Sequence, residues 1–146
     1  EVGTLLLGGH TAKVFVPYWA SAAKEESKPD VHFAKRITSL PKIAFSHTIN
    51  EGELEDTRIV SGDLATEIQR IKNEPGKDIL VYGGAGFVSD LIKNKLIDEF
   101  HFVVYPIALG KGTPIFQQIQ QKQELTRSDI HPFNNGALVV CYKPVL

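Results

Sequence analysis

The chain has 146 residues, of which 42% are hydrophobic and 23% are charged, a balance typical of one ordinary globular domain. Its 16 basic and 17 acidic residues give a formal net charge of −1. Such a chain lacks the broad positive field that favours binding to nucleic acid or to an anionic membrane. No apolar run approaches the roughly 20 residues that span a bilayer. The single cysteine, Cys141, cannot form an internal disulfide. We therefore expect an inert core thiol in a cytoplasmic protein.

The beginning of the sequence bears on its completeness. The chain opens at Glu1 without an initiator methionine and runs at once into strand-like residues. It contains no methionine, whereas average usage predicts about three. We therefore expect that an N-terminal segment is missing and that residues 1–146 form a single domain.

Strand-like and helical stretches alternate along the first two-thirds of the chain. Residues 2–7 are continuously apolar, as in a strand buried on both faces. A short helix is predicted from Thr11 toward Tyr18, ending near Pro17, and a surface loop over 21–30. The pattern then predicts a helix from Asp30 to about 39 and strands at 42–45 and 57–60. A second helix is predicted to begin at 61–63 and to end at Pro75-Gly76, and a strand follows at 78–82.

The final third is richer in strands. A helix after residue 86 is expected to bury Phe87, Val88, Leu91 and Ile92. Strands are predicted at 100–105, 125–130 and 137–142, with a glycine-bearing loop over 106–114. The last two strands form a hairpin through the turn-forming Asn134-Asn135-Gly136. The whole pattern predicts a three-layer α/β domain with a mixed sheet.

Two glycine-rich junctions between a strand and a helix are the first candidates for chemistry. They are Gly83-Gly84-Ala85-Gly86 and Gly8-Gly9-His10-Thr11. Glycines let the backbone approach a phosphate, and the free N–H groups of a helix N-terminus attract the anion. Each junction also has a plainer interpretation, a tight packed turn at 83–86 and an N-cap by Thr11. Ser89 occupies the place of the third glycine in G-x-G-x-x-G, so the dinucleotide fingerprint is incomplete.

Two further polar segments are weaker candidates. Ser46 and His47, after the strand at 42–45, offer a hydroxyl and an imidazole to a ribose, phosphate or adenine edge, although an exposed loop is the commoner explanation. Lys111 lies between two glycines and could place a cation near a substrate phosphate. The alternative is an exposed lysine in a mobile surface loop. The five histidines lack metal-ligand spacing, so we predict no metal site, and we identify no catalytic nucleophile.

The order and spacing of five segments resemble the dihydrofolate reductase-like superfamily, and within it the RibD C-terminal domain family. The segments are 4–11 with 17–19, 41–46, 78–86, 96–99 and 106–116. The resemblance implies a three-layer α/β/α fold with a mixed, mostly parallel central sheet and an antiparallel C-terminal hairpin. It also implies an NADPH-dependent reductase, often a homodimer, similar to 5-amino-6-(5-phosphoribosylamino)uracil reductase of riboflavin biosynthesis.

In this family the cofactor lies across the carboxyl edge of the sheet. The residues that the resemblance places at its phosphates are Gly8, Gly9, His10, Thr11, Gly83, Gly84, Ala85, Gly86 and Phe87. Ser46 and His47 fall near the adenosine end. The substrate implied is a small pyrimidine- or pterin-like heterocycle. The alternatives are pterin reduction of the dihydrofolate reductase type and a nucleotide-binding dimer without turnover.

Two departures from the family pattern matter. Relatives often carry Arg where Gly9 stands, and its guanidinium pairs with a cofactor phosphate. The choice between NADPH and NADH is therefore open, with His10, His47 or Lys13 as substitute cations. The family's first strand, which lines the substrate pocket, is not in this sequence, so no proton donor is assigned.

Overall fold

The computed structural model describes residues 1–145, which divide into two compact units, Glu1–Val88 and the described residues from Ser89 onward. We call them the parallel unit and the antiparallel unit, after the strand pairing in each. The elements in chain order are β1 (Val2–Gly8), α1 (Gly9–Ala22), α2 (Val31–Ser39), β2 (Lys42–Phe45), β3 (Thr57–Val60), α3 (Leu64–Lys72), β4 (Asp78–Val81), α4 (Ala85–Lys93), β5 (Phe100–Val104), β6 (Leu125–Pro132) and β7 (Leu138–Pro144).

The parallel unit contains a four-stranded sheet of order β3-β2-β1-β4 in which each neighbouring pair is parallel. The second half of β1, from Leu5 to Gly8, is buried, as expected for a central strand with helices on its faces. Because the strands are parallel, β1, β2 and β4 end at the same edge of the sheet. The core that holds this unit consists of Leu5, Leu7, Ala12, Phe15, Val16, Ile37, Leu40 and Ala44.

The first helix differs from its prediction. It begins at Gly9 rather than Thr11 and continues past Pro17 to Ala22, so the predicted end near Pro17 is wrong. A proline inside a helix removes one hydrogen bond and costs about 3 kcal/mol. Phe15 and Val16 are buried before the proline, and Ala22 is buried after it. Packing of this continuous apolar face therefore outweighs the local cost of the proline.

The next two helices confirm their predicted positions. In α3, the side chain of Asp63 accepts hydrogen bonds from the backbone N–H of Thr66 at 3.0 Å and from its hydroxyl at 2.9 Å. This is an N-cap of the expected kind. In α2, Asp30 is the N-cap residue, but it contributes only its backbone carbonyl, which accepts from the N–H of Ala34 at 2.8 Å.

The antiparallel unit contains a three-stranded sheet of order β5-β7-β6. The predicted hairpin of β6 and β7 is confirmed, and the side chain of Asn135 accepts from the N–H of Ala137 at 3.0 Å in its turn. Gly136 has φ +84°, a left-handed conformation that favours glycine. The α/β fold class is confirmed, but the parallel and antiparallel strands form separate sheets instead of one mixed sheet.

In the fourth helix, the buried side chains are Ser89, Leu91 and Ile92, whereas the predicted Phe87 and Val88 are only half-buried. The Ser89 hydroxyl donates to the carbonyl of Ile115 at 2.7 Å, which ties the helix to a segment without regular structure. Within residues 1–145, no helix is both long and apolar enough to cross a bilayer.

Candidate functional site

Two helices begin side by side at the carboxyl edge of the parallel sheet. Gly8 ends β1 and is the N-cap of α1, while the turn from Tyr82 to Gly84 leads from β4 into α4. Because β1 and β4 are neighbouring parallel strands, the two helix N-termini lie at the same edge. The first N–H groups of each helix have no partner within the helix and carry partial positive charge. This arrangement suits an anionic ligand.

The turn before α4 requires glycine. Gly83 and Gly84 have φ +82° and +81°, and the Gly84 carbonyl accepts the first helical hydrogen bond from Val88 N at 2.9 Å. A Cβ on Gly84 would lie 2.8 Å from Oγ1 of Thr11. The two glycine-rich junctions thus meet at the Gly84–Thr11 contact. Thr11 lies inside the first turn of α1, so its interpretation as an N-cap is wrong.

An aromatic stack borders the same edge of the sheet. A Cβ on Gly8 would lie only 2.7 Å from Cβ of Phe87, so this glycine admits the Phe87 side chain. The rings of Phe87 and Phe45 stack with centroids 5.9 Å apart and an interplanar angle of 20°. The exposed ring of His47 packs edge-on against Phe45 at 5.4 Å. Together these three rings offer faces and edges on which a planar group can pack.

Gly9 is tightly enclosed by the end of β2. A Cβ at this position would lie 2.7 Å from Oγ and 2.8 Å from Cβ of Ser46. Ser46 is buried, and its hydroxyl oxygen accepts from the backbone N–H groups of Thr48 at 3.1 Å and Ile49 at 3.2 Å. The serine therefore holds the turn after β2. A larger residue at position 9 requires Ser46 to move.

The remaining predicted residues of this unit differ in exposure. His10 is exposed on the first turn of α1, and Ala85 is half-buried at the start of α4. Gly86, the second residue of α4, is exposed, and apart from its chain neighbours and the nearby backbone of α4 no atom of residues 1–145 lies within 4 Å of a Cβ built on it. The space beside this helix N-terminus is therefore open.

Lys111 belongs to the antiparallel unit. It is exposed, and it follows Gly110, whose φ is +76°. The described segment from 105 to 124 contains neither helix nor strand. The structure thus brings together the predicted residues of the parallel unit and leaves the role of Lys111 a prediction.

Phe45 was not among the predicted site residues. It is the last residue of β2, and its ring contacts those of both His47 and Phe87. An aromatic residue at the carboxyl end of a strand is the signal that could have identified it. In the sequence alone such a residue is equally typical of the core.

Comparison with known proteins identifies related chains. A family model for the RibD C-terminal domain matches residues 1–139. YyaP, an uncharacterized protein of Bacillus subtilis (strain 168), is 28% identical over 144 residues, which cover 97% of this chain and 74% of YyaP. YwjB, an uncharacterized protein of the same organism, is 41% identical over 56 residues, which cover 38% of this chain and 32% of YwjB.

Solved structures agree in fold. A protein of Shewanella sp. PV-4 provisionally assigned to riboflavin biosynthesis superposes with a TM-score of 0.74 at 20% identity, covering 100% of this chain and 76% of that one. A pyrimidine reductase-like protein of Corynebacterium diphtheriae superposes with a TM-score of 0.60 at 14% identity, covering 99% of this chain and 76% of that one. With the family match spanning both units and the fold shared with these proteins, the chain belongs to the RibD C-terminal domain family, a family of riboflavin-pathway-like reductases.

Proposed function

We propose that this protein is a cytoplasmic NADPH-dependent reductase of a small pyrimidine- or pterin-like heterocycle. The observation that carries the proposal is the pair of helix N-termini, of α1 and α4, that begin at one edge of the parallel sheet. Membership of the RibD C-terminal domain family supports the reaction class. The reduction resembles that of the phosphoribosylamino-pyrimidine intermediate of riboflavin biosynthesis.

The residues at this edge fit a dinucleotide. Backbone N–H groups at the start of α1 and α4 would hold the phosphates, with Thr11 as a hydroxyl donor between the two junctions. Open space at Gly86 leaves room for an anion beside α4. The stacked rings of Phe45 and Phe87, with His47 at their edge, would pack against a planar base. When bound, NADPH would supply the hydride, and these residues would position it against the substrate.

The 2′-phosphate that distinguishes NADPH from NADH needs a cation from a position other than 9. Any side chain at Gly9 meets Ser46, so the arginine common in relatives is replaced here by a close backbone contact. His10 and His47 are exposed at the same edge of the sheet, and Lys13 is exposed on α1. We propose that His10, His47 and Lys13 bind the 2′-phosphate of NADPH and that Lys111 binds the phosphate of the substrate.

The proposal includes a homodimer, as is common in the family. Sedimentation velocity at micromolar concentration should show a dimer. A monomer at that concentration would contradict this part of the proposal and leave the cofactor site unaffected.

A charge placed on α4 tests the phosphate site. We expect Gly86→Asp to keep or raise the melting temperature, because a carboxylate near a helix N-terminus stabilises the helix by about 0.3–1 kcal/mol. The same carboxylate repels a bound phosphate. Affinity for NADPH, followed by nicotinamide fluorescence, should therefore fall at least about tenfold, a loss of about 1.4 kcal/mol.

Two matched variants control this experiment. Gly86→Asn has nearly the same shape without the charge and should retain most of the affinity. Gly76→Asp adds the same charge before β4, at a second glycine that has open space among the described residues, and should bind as the parent chain does. Unchanged affinity in a folded Gly86→Asp protein would exclude a phosphate at this helix. If the parent chain binds NADPH but does not oxidise it in the presence of any heterocycle tested, the protein is a nucleotide-binding protein without turnover.

A further inference from the structure

Three potential metal ligands meet on the antiparallel sheet. His101 of β5 and Cys141 of β7 are directly opposite each other in the strand register, and Glu99 comes just before β5. Nδ1 of His101 lies 3.4 Å from Sγ of Cys141, and Nε2 lies 3.3 Å from Oε1 of Glu99. One ligand atom from each residue falls within 4.8 Å of the others. None of the three belongs to the candidate cofactor site.

The spacing of these atoms is close to that of a tetrahedral metal site. Zinc binds sulfur at about 2.3 Å and nitrogen or oxygen at about 2.0–2.2 Å, so its ligand atoms lie about 3.3–3.6 Å apart. The separations of 3.4 Å and 3.3 Å both fall in this range, but they belong to different nitrogens of the His101 ring, and an ion bound through one nitrogen uses only one of them. A common site therefore requires rotation of the exposed imidazole and carboxylate side chains, whose ligand atoms now lie within 4.8 Å of one another and of the cysteine sulfur.

The chemistry of the donors also suits a transition metal. Thiolate, imidazole and carboxylate form a mixed set that zinc accepts and that hard cations such as Mg²⁺ do not select. The other oxygen of Glu99, Oε2, forms a long ion pair with Nζ of Lys143 at 3.6 Å. Such an outer contact orients a ligating carboxylate. The side chains of His101 and Glu99 are 57% and 36% exposed, so an ion can enter from solvent.

A reactive nucleophile is the competing interpretation of a Cys–His–Glu arrangement. The Cys141 side chain is buried, and burial raises the pKa of its thiol, with the nearby carboxylates of Glu99 and Asp129 adding to the effect. A catalytic cysteine needs the opposite, a lowered pKa and an accessible sulfur. The buried sulfur of Cys141 therefore does not meet the requirements of a catalytic cysteine.

We propose that Glu99, His101 and Cys141 bind one divalent transition-metal ion of the zinc class. Water completes the coordination. As the metal–sulfur bond forms, the thiol proton passes to solvent, and no atom changes oxidation state. The ion links β5 to β7, whose backbones are already paired along this stretch.

Cobalt(II) is the probe for the test, added to the reduced chain without a polyhistidine tag. Because Cys141 is the only cysteine, a thiolate-to-cobalt charge-transfer band reports this sulfur alone. We expect the band to saturate at one cobalt per chain and to disappear when zinc is added. Failure to observe the band at millimolar cobalt would overturn the proposal and identify the cluster as a hydrogen-bonded trio.

Matched histidine variants make the assignment specific. The side chains of His101 and His131 are both 57% exposed, and the Nε2 of each lies within 3.3 Å of a carboxylate oxygen, that of Glu99 and of Asp129 respectively. His101→Gln should abolish the band, while His131→Gln should leave it unchanged. Glu99→Gln should weaken cobalt binding, because a neutral amide replaces a charged ligand. The proposed site would be contradicted if the charge-transfer band were lost equally in both histidine variants, or if it survived in His101→Gln. Both histidines are exposed, so these variants keep the test valid even if Cys141→Ser fails to fold.

Discussion

The two units of this chain bury their strands to different degrees. In the parallel unit, β1 is buried from Leu5 to Gly8, and all three apolar residues in that run are at most 2% exposed. In the antiparallel unit, every residue of β6 after Leu125 is exposed. Large apolar side chains are also exposed there: Val103, Val104, Tyr105, Ile107, Leu109, Ile130 and Phe133.

The contrast follows from how each sheet is connected. Parallel strands need crossover connections, which are usually helices that cover the faces of the sheet, and here α1 and α2 contribute to the core around β1. Antiparallel strands can be joined by a tight turn, and nothing in that connection covers a face. The stability of the chain should therefore depend more on side chains of the parallel sheet than on those of the antiparallel sheet.

Shortening one apolar side chain in each sheet should show the largest difference. Leu7, near the carboxyl end of β1, is 0% exposed, so Leu7→Ala removes methyl groups from a closed core and should cost about 2–5 kcal/mol. Val103 of β5 is 55% exposed, so Val103→Ala should cost less than about 1 kcal/mol. Urea unfolding measures both. Equal costs would mean that the antiparallel sheet is covered in solution.

Left-handed glycines in the two units provide the next comparison. Gly84 and Gly136 have φ +81° and +84°, so an alanine at either should cost about 1–2 kcal/mol of unfolding free energy. The added Cβ also meets Thr11 at Gly84, and it meets Pro106 at 3.3 Å at Gly136. Only Gly84 lies at the candidate cofactor site, so only Gly84→Ala should weaken NADPH binding. Thr11→Ala in the same chain should restore part of the stability lost by Gly84→Ala. Thermal unfolding and nicotinamide fluorescence separate the two effects.

The smallest effect concerns the acid sensitivity of α3 in the parallel unit. Hydrogen bonds from the backbone N–H and the hydroxyl of Thr66 hold the pKa of Asp63 below its ordinary value. A lowered pKa in the folded state means that the cap stabilises the protein above the unfolded pKa of about 3.9. This contribution is lost as the pH falls through the lowered folded value. Asp63→Asn keeps an acceptor but does not titrate.

The melting temperature of the parent chain should therefore exceed that of Asp63→Asn near neutral pH, and the gap should narrow toward about pH 2. If the difference in melting temperature between the two proteins stays the same over that pH range, the charge of Asp63 contributes nothing to the stability of α3.

Much of the parallel unit could be predicted from local patterns. Apolar runs placed the strands at 42–45 and 57–60 without error, and Asp63 was a correct start signal for α3. The glycines at 83 and 84 were predicted to form a turn, and their positive φ values are the physical basis of that signal. Short-range sterics and capping act within a few residues, so they are visible in the sequence.

Other features depended on partners distant in the chain. The end of α1 was predicted wrongly because burial of Ala22 after Pro17 cannot be seen from local propensity. The close contact of Gly9 with Ser46 explains why position 9 is glycine, and it joins two segments that are far apart in the sequence. The Glu99–His101–Cys141 cluster has no regular ligand spacing, because strand register, rather than periodicity, brings its members together.

The sequence by itself determined where most helices and strands lie, the family to which the chain belongs, and the two glycine-rich junctions. These follow from the order of apolar, capping and turn-forming residues, which acts locally. The tertiary structure alone decided that the strands form two sheets, that the two junctions meet at Thr11 and Gly84, and that Cys141 faces His101. Each of these depends on hydrogen bonding and packing between segments far apart along the chain, and such pairing is a property of the folded state.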